Sequence, residues 1–480
     1  MPTSRFEAFV GPSYVSPSPT TDCDETINLY VETQQSANAK SRQVLLPCPG
    51  FTTFAALTGS PIRGQFTIDE RLFVVAGASF YEIYSTGTDW INVGTVAVDG
   101  YPASMASNGL GGHQLFIVSG DTGYIFDLDS SAFTTELTGC RFAGFVDGYF
   151  LALDVTTSTF KLSALEDGTT WDPLDVAQRS TSGDQWVAMT VSRGDVWLTG
   201  SQTTDVWQDT GAAAFPFEPI AGARIQVGNV APFSLTVLDG VPMWLAGNQN
   251  GSAFFVRAEG YDVAPIENPA VEHQIQSYGT VSDAVSFVYQ GEGHPFLVTN
   301  FPSAGVTWAY DTRERLFHKR VYHNATTGMD EAYRPQYHSF CFGKHLVGDR
   351  DSYLVYEMRS DVSTEVDGEG IRRVRQCPVY AQSAARVFHQ GLELEIEPGL
   401  GLNSGQGSDP QVALSWSNDG GKTWGNEHWK SAGAIGNYQT RIYWQMLGMS
   451  WGNRRVYKAV MTDPIPFRLS QAWLTMEGGQ

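Results

Sequence analysis

Between Pro61 and Arg375 the hydrophobic and polar positions repeat one theme. Each copy reads as a short strand, a turn around Gly or Asp, a strongly apolar strand, a second turn and a third strand. The apolar middle strands are Leu72–Val75, Leu115–Val118, Tyr149–Leu153, Val196–Leu198, Met243–Ala246, Phe296–Val298 and, more weakly, His345–Val347. They recur about seven times, roughly 35–50 residues apart, the spacing of propeller blades. Third strands follow at Phe80–Tyr84, Tyr124–Phe126, Asp205–Trp207, Phe254–Val256, Val306–Tyr310 and Tyr353–Tyr356. Pairs such as Asp147-Gly148, Arg193-Gly194 and Asp239-Gly240 supply the positive φ of tight hairpins, as does the Asp121-Thr122-Gly123 turn. A two-sheet sandwich uses similar strands, but a recurring three-strand copy favours a β-propeller of about 6–8 blades. The pattern predicts an all-β chain with no sustained amphipathic helix; Ser163–Asp167 and Asp175–Ser180 each have room for a helical turn at most.

The flanks differ. Residues 1–60 are expected to form an arm and closing strands, 61–375 the propeller, and 376–480 a C-terminal, sandwich-like β domain. The first 20 residues read as an extended arm, disordered or lying on a neighbouring subunit, because the three prolines within 11–19 cannot donate ladder hydrogen bonds. Thr26–Glu32 and Gln43–Leu46 alternate as strands, and Leu46–Phe51 is a rigid Pro/Gly turn. These N-terminal strands are placed to complete a blade or to pair with the C-terminal unit. Ile371–Arg375 is the most basic run and reads as a solvated linker or a contact with an acidic neighbour. Gly391–Glu397 alternates apolar with acidic residues, predicting a half-exposed strand.

Composition narrows the chemistry. In 480 residues there are 50 Gly and 17% charged residues, which suits an all-β chain rich in turns. The net charge of −21 argues against a basic nucleic-acid-binding face, yet it is compatible with a passage through which DNA slides without sticking. Five scattered cysteines contain no CxxC pair, which signals neither zinc nor a disulfide framework. No apolar run reaches membrane-spanning length and the N-terminus lacks a signal-peptide core, so synthesis in a cytoplasm without a membrane span is expected.

The C-terminal stretch is the most distinctive text. Ser417-Asn418-Asp419-Gly420-Gly421-Lys422-Thr423-Trp424 matches the Asp-box, a hairpin in which the Asp caps turn amides and the Trp packs beneath. It continues into Gly436–Gly448 with its Arg441-Ile442-Tyr443-Trp444 strand, then Arg454–Lys458, Asp463-Pro464-Ile465-Pro466-Phe467 and Ala472–Leu474. With Asn28–Glu32 and Pro47–Phe51 near the other end, this combination resembles the tail hub, or nozzle, proteins of short-tailed bacteriophages, also called packaged-DNA stabilisation proteins. Tyr310-Asp311 followed by Arg315 and Phe317 is a blade-level echo of the same family. The resemblance implies a structural, non-enzymatic component of the virion tail, made in the host bacterial cytoplasm. It implies a homohexameric ring below the portal and its adaptor ring protein, carrying a tailspike or tail fibre and a tail needle or plug. Genomic DNA would be retained, and then passed out through the channel without specific binding.

Groups that chemistry needs are not marked. Gly-x-Ser-x-Gly is absent, and Gly109–Gly112 does not precede a helix, so it makes no phosphate cradle. None of the nine histidines has metal-ligand spacing. His338 and His345 are spaced to allow a meeting across a hairpin, but Phe340-Cys341-Phe342 between them reads as a buried strand. Asp127-Leu128-Asp129 and Asp349-Arg350-Asp351 read as solvated turns, with calcium the alternative. No catalytic, cofactor or metal residue is assigned. Trp186, Trp197, Trp207, Trp244 and Trp308 are expected in blade cores. Trp416, Trp424, Trp429, Trp444 and Trp451 crowd the C-terminal unit, partly as contact surface. Trp424, Arg441, Tyr443, Trp444, Arg454 and Arg455 form the candidate assembly interface. The alternative function is a carbohydrate-binding or sialidase-like glycan-cleaving propeller.

Overall fold

The computed structural model describes residues 3–36, 38–179, 183–213, 215–247, 252–380 and 386–478. Seven sheets follow one another as blades, spanning 62–95, 104–138, 142–178, 186–225, 228–265, 285–319 and 335–359. Blade 7 takes its outermost strand from Gly50–Ala56, which runs antiparallel to Leu354–Arg359. The inner strands of successive blades touch around the ring, and the ring closes between blades 7 and 1. An N-terminal strand therefore locks the disc by hydrogen bonds to the last blade.

The apolar middle strands are the second strand of each blade, covered on both faces by the neighbouring blades. Leu72, Phe73, Val74 and Val75 are fully buried, as are Leu115, Phe116, Phe150, Leu151, Leu198 and Leu245. Each such side chain contributes roughly 1.5–3 kcal/mol on burial, so the stack is the main source of stability. The hairpin after the inner strand is nearly invariant in form. Asp147-Gly148, Arg193-Gly194, Asp239-Gly240, Glu292-Gly293 and Phe342-Gly343 all have two consecutive positive φ values, the type I′ requirement. Blade 2 instead places a helical turn, Gly109–Gly112, at this point.

Several sequence expectations change. Pro269–Gln276, between blades 5 and 6, is an α-helix that the pattern did not announce. Asn268 caps it by accepting from Val271 N, and Pro269 occupies its first turn; the helix is too short to show a clear apolar period. Residues 163–167 form a turn, and Val176–Gln178 is a strand, while Ser180 lies outside the described residues. Phe340 is exposed and Phe342 sits in a turn, so the 340–342 run is not a buried strand.

The second unit is a sandwich. Its first sheet contains Leu29–Thr33, Gln43–Pro47, Leu469–Gly478, Arg386–Ile396 and Ile442–Gln445, with Thr3–Arg5 added beside 469–478. The second contains Cys23–Ile27, Arg373–Pro378, Val456–Met461, Gln411–Ser417 and His428–Ser431. Leu29, Leu392, Leu394, Leu414, Tyr457 and Leu469 pack between them. The expected strand Thr26–Glu32 is broken at Asn28, φ 55°, where the chain crosses from one sheet to the other.

The N-terminal arm is neither disordered nor held out for a neighbour. Phe6 and Phe9 are in the sandwich core, and Ser13 bonds to both backbone groups of Thr26. Arg375 fixes it: the guanidinium donates to the carbonyls of Ala8, Phe9 and Pro12 and pairs with Asp24. This corrects the reading of 371–375 as a solvated linker. Arg373 and Arg375 are buried in a strand, and the acidic neighbours belong to this same chain, Asp24 for Arg375 and Asp330 for Arg372.

Candidate functional site

Two edge strands meet on the open side of the sandwich. His428–Ser431 ends one sheet and Ile442–Gln445 ends the other, and each has a single strand partner. The Trp444 indole N–H donates to the His428 carbonyl at 2.8 Å and ties the two edges together. Beside them a cleft of about 480 Å³ is lined by Trp416, His428, Trp429, Tyr443, Gln445 and Met446. The Trp416 and His428 rings stack at 4.6 Å. Around this cleft Met446 is 83% exposed, and Trp429 and Trp451 are each half exposed. Phe388 and Met449, paired across strands, also face solvent. Arg386 lies over the Trp451 ring at 4.8 Å. A group of exposed aromatic and methionine side chains beside unpaired strand edges is the composition of a protein contact surface.

The six expected interface residues divide. Trp444 and Arg455 are buried and serve this chain's own core, which takes them off the surface. Arg455 donates to Asn418 Oδ1 and the Leu447 carbonyl, both at 2.8 Å, and lies over Tyr457. Burial pushes its pKa down. The cause of the misreading is strand alternation: Ile442 and Trp444 point inward, Tyr443 outward. Arg441 is exposed, forks onto Glu393 at 2.6 Å and covers the Tyr443 ring at 4.6 Å. Trp424 is half-buried under Lys458 Nζ at 4.0 Å, and Arg454 is exposed. Met446, Met449 and Phe388 were missed; the signal available for the two methionines was their place around Leu447-Gly448 between short strands, while Phe388 lies within the strand Arg386–Ile396.

The Asp-box turn lies in the sandwich, not in a blade. Asp419 Oδ1 accepts from the amides of Lys422 and Thr423, and Oδ2 accepts from the Thr423 hydroxyl at 2.6 Å. The Ser417 hydroxyl and these Thr423 and Lys422 bonds hold the Asp419 carboxyl well below its usual pKa. The group is occupied by turn closure.

Titratable groups elsewhere are engaged structurally. His294 Nδ1 lies 2.6 Å from Asp311, and His338 Nε2 lies 3.0 Å from His345 Nδ1. Burial pushes His338 down to about 3. Asp349 is fully buried against Arg334 at 2.6 Å rather than in a solvated turn. All five cysteines are free and buried. Among the described residues no group of three or more His, Cys, Asp or Glu is arranged to hold a metal ion. No helix among them is long and apolar enough to cross a membrane.

Fold and surface together define a β-propeller joined to a β-sandwich, with an exposed apolar edge on the sandwich. Comparison with known families places it. Residues 24–363 match the family model described as Bacteriophage P22 Gp10, beta-propeller, and residues 372–477 match Bacteriophage P22 Gp10, beta-sandwich. The chain belongs to this family of phage tail structural proteins, components of the virion. No curated protein matches. Among solved structures, the extracellular domain of the putative hybrid two component system BT4673 from B. thetaiotaomicron is similar at TM-score 0.44 and 6% identity, over 77% of this chain and 43% of that one. The N-terminal domain of Nup159 is similar at TM-score 0.40 and 11% identity, over 70% and 98%.

Proposed function

We propose that this chain is the tail hub, or nozzle, of a short-tailed phage. Six copies form a ring below the portal-adaptor ring protein, retain the packaged genome, anchor a tailspike or fibre and a needle or plug, and pass DNA out on infection. The propeller and the C-terminal sandwich act as one rigid wall segment of that ring.

The observation that carries this reading furthest is the state of the propeller's own axis. Where the inner strands begin, Tyr101 stacks on Phe233 at 5.9 Å, and Phe233 packs on Phe142 at 5.0 Å. Rings from the loop before blade 2, the inner strand of blade 3 and the turn before the inner strand of blade 5 meet there, which favours a DNA path outside the disc. This supports a DNA path between copies, with the open sandwich edge holding copies or tail partners together. The −21 net charge favours a wall along which DNA slides. Native mass spectrometry of the purified chain, alone and with the adaptor ring, tests the stoichiometry. A six-copy species on the adaptor is expected; a chain that stays monomeric with the adaptor contradicts the proposal.

A further inference from the structure

The two most exposed large apolar side chains among the described residues are Leu174, at 85%, and Met446, at 83%. Met446 belongs to the sandwich edge. In the continuous sheet that leaves blade 6 at Leu316–Lys319, the edge strand His428–Ser431 is the fifth strand out, which sets it about 24 Å from the disc. Leu174 lies in the loop 163–175, which joins the last two strands of blade 3. In a seven-bladed disc, blade 3 stands about 150° round from blade 6. The two side chains therefore point away from each other, and one chain cannot bring them together.

Their surroundings carry opposite charge. Glu166 N donates to the Gly148 carbonyl at 2.7 Å, which seats the blade 3 loop on the Asp147-Gly148 hairpin. Beside the exposed Leu165 and Leu174, these two turns hold Asp147, Glu166, Asp167, Asp172 and Asp175, with no Lys or Arg. Among the described residues none of these carboxylates makes an ion pair. The sandwich edge is the reverse. Arg386, Lys430 and Arg454 are exposed around Met446 and Trp451, and none of the three makes an ion pair. Arg441 holds Glu393, which leaves Glu427 and Glu477 as the carboxylates beside the edge. In a chain of net charge −21 this is an unusual local excess of cations.

The opposite face of the disc offers no such field. There Arg63 pairs with Asp99 at 2.8 Å, Arg141 with Asp121 at 2.7 Å and Arg334 with Asp349 at 2.6 Å. Apolar side chains open to water and rimmed by one sign of charge mark a contact surface, and opposite signs draw two such surfaces together.

We propose that the sandwich edge of one copy docks on the blade 3 loop of the next. Met446 and Trp451 pack on Leu165 and Leu174, while Arg386, Lys430 and Arg454 face Glu166, Asp172 and Asp175. The contact joins two different patches, so it is heterologous and repeats head to tail until the ring closes. It rests on the hub reading above, in which copies form a ring, and assigns the two faces that meet.

Photocrosslinking tests the contact. The full chain with p-benzoylphenylalanine in place of Met446 is assembled on the adaptor ring and irradiated. Crosslinked dimers are expected, with the attachment mapped by mass spectrometry to residues 147–175 of the neighbouring copy. Glu166→Lys with Asp175→Lys should lower the dimer yield about tenfold, and adding Arg386→Glu with Lys430→Glu to the same chain should recover it. Glu267→Lys, the same charge change on the opposite face, should leave the yield as it was. An unaltered melting temperature shows that each variant is folded. If the ring forms but Met446 attaches to the adaptor or elsewhere on the neighbour, or if the blade 3 reversals leave the yield unchanged, the proposal is overturned and the hub reading stands. If no six-copy species forms on the adaptor, the hub reading fails and this contact falls with it.

Discussion

Ile27 and Lys319 face each other in a parallel bridge, the single ladder position at which blade 6 passes into the sandwich. Through it one hydrogen-bonded sheet runs from Val285–Gly291 to His428–Ser431. The Asn28 amide donates to the Lys319 carbonyl at 2.9 Å, and Lys319 Nζ reaches Glu25 at 2.8 Å. The two units therefore share a sheet as well as a boundary.

Asn28 is the pin of that joint. Its side chain donates to the carbonyls of Val321 and Arg372 and accepts from Val321 N, all between 2.9 and 3.0 Å. Asn28→Ala leaves three buried backbone groups short of partners and puts alanine at φ 55°. A loss of about 2–4 kcal/mol is expected. Calorimetry should show separated propeller and sandwich transitions in the variant, where the native chain unfolds in one.

Arg375 bears on the arm. Arg375→Met removes a buried cation that three carbonyls and Asp24 depend on. A cost of about 3–5 kcal/mol is expected. Limited proteolysis should then cut before residue 20 first, whereas the native arm resists.

A pH effect follows from Glu365. Burial, reinforced by Asp367 and only partly opposed by Arg373, pushes its pKa up to about 8. With the folded pKa above the unfolded one, the unfolded chain ionises first. Stability conferred by the neutral acid is complete below the ordinary carboxylate pKa and is lost as pH rises toward 8. Buried histidines such as His389, pushed down to about 3 by burial, act in the opposite direction but only up to their ordinary pKa near 6.5. Between about pH 6.5 and 8 the slope belongs to Glu365, about 1.4 kcal/mol per pH unit. Urea denaturation of Glu365→Gln should lack that slope and be more stable than the native chain at pH 8.

Trp444 and Arg441 separate folding from assembly. Trp444→Ala opens a cavity in the sandwich core and should cost about 3–5 kcal/mol. Arg441→Ala should leave the melting temperature unchanged, because its pairing with Glu393 is solvent-exposed. Met446→Asp, at the most exposed apolar position of the edge, should abolish association without unfolding the monomer. Analytical ultracentrifugation beside thermal melts reads both outcomes.

Much of the fold was legible because propeller blades carry their burial in local sequence. The seven middle strands stand out since both faces are covered, and runs such as Leu72–Val75 need no alternation. Gly391–Glu397 was equally plain: Leu392, Leu394 and Ile396 are buried, while Glu393 and Glu397 pair outward with Arg441 and Arg468. What stayed hidden depends on contacts far apart in the chain. Arg373 and Arg375 look like a solvated basic run until Asp24 and the arm carbonyls, some 350 residues away, fold over Arg375. Trp444 and Arg455 look like interface residues because aromatics and Arg also build small cores, and only the sheet face decides. Asp195 and Tyr261 meet only through the stacking of blades 4 and 5, which no local pattern encodes.

Electron cryomicroscopy of the DNA-filled tail tests the central claim most directly. Six copies are expected in a closed ring, with duplex density in the lumen between them and each propeller axis still crossed by Tyr101 and Phe233. Duplex density running through a propeller axis, or copies set apart with no shared lumen, would contradict the account.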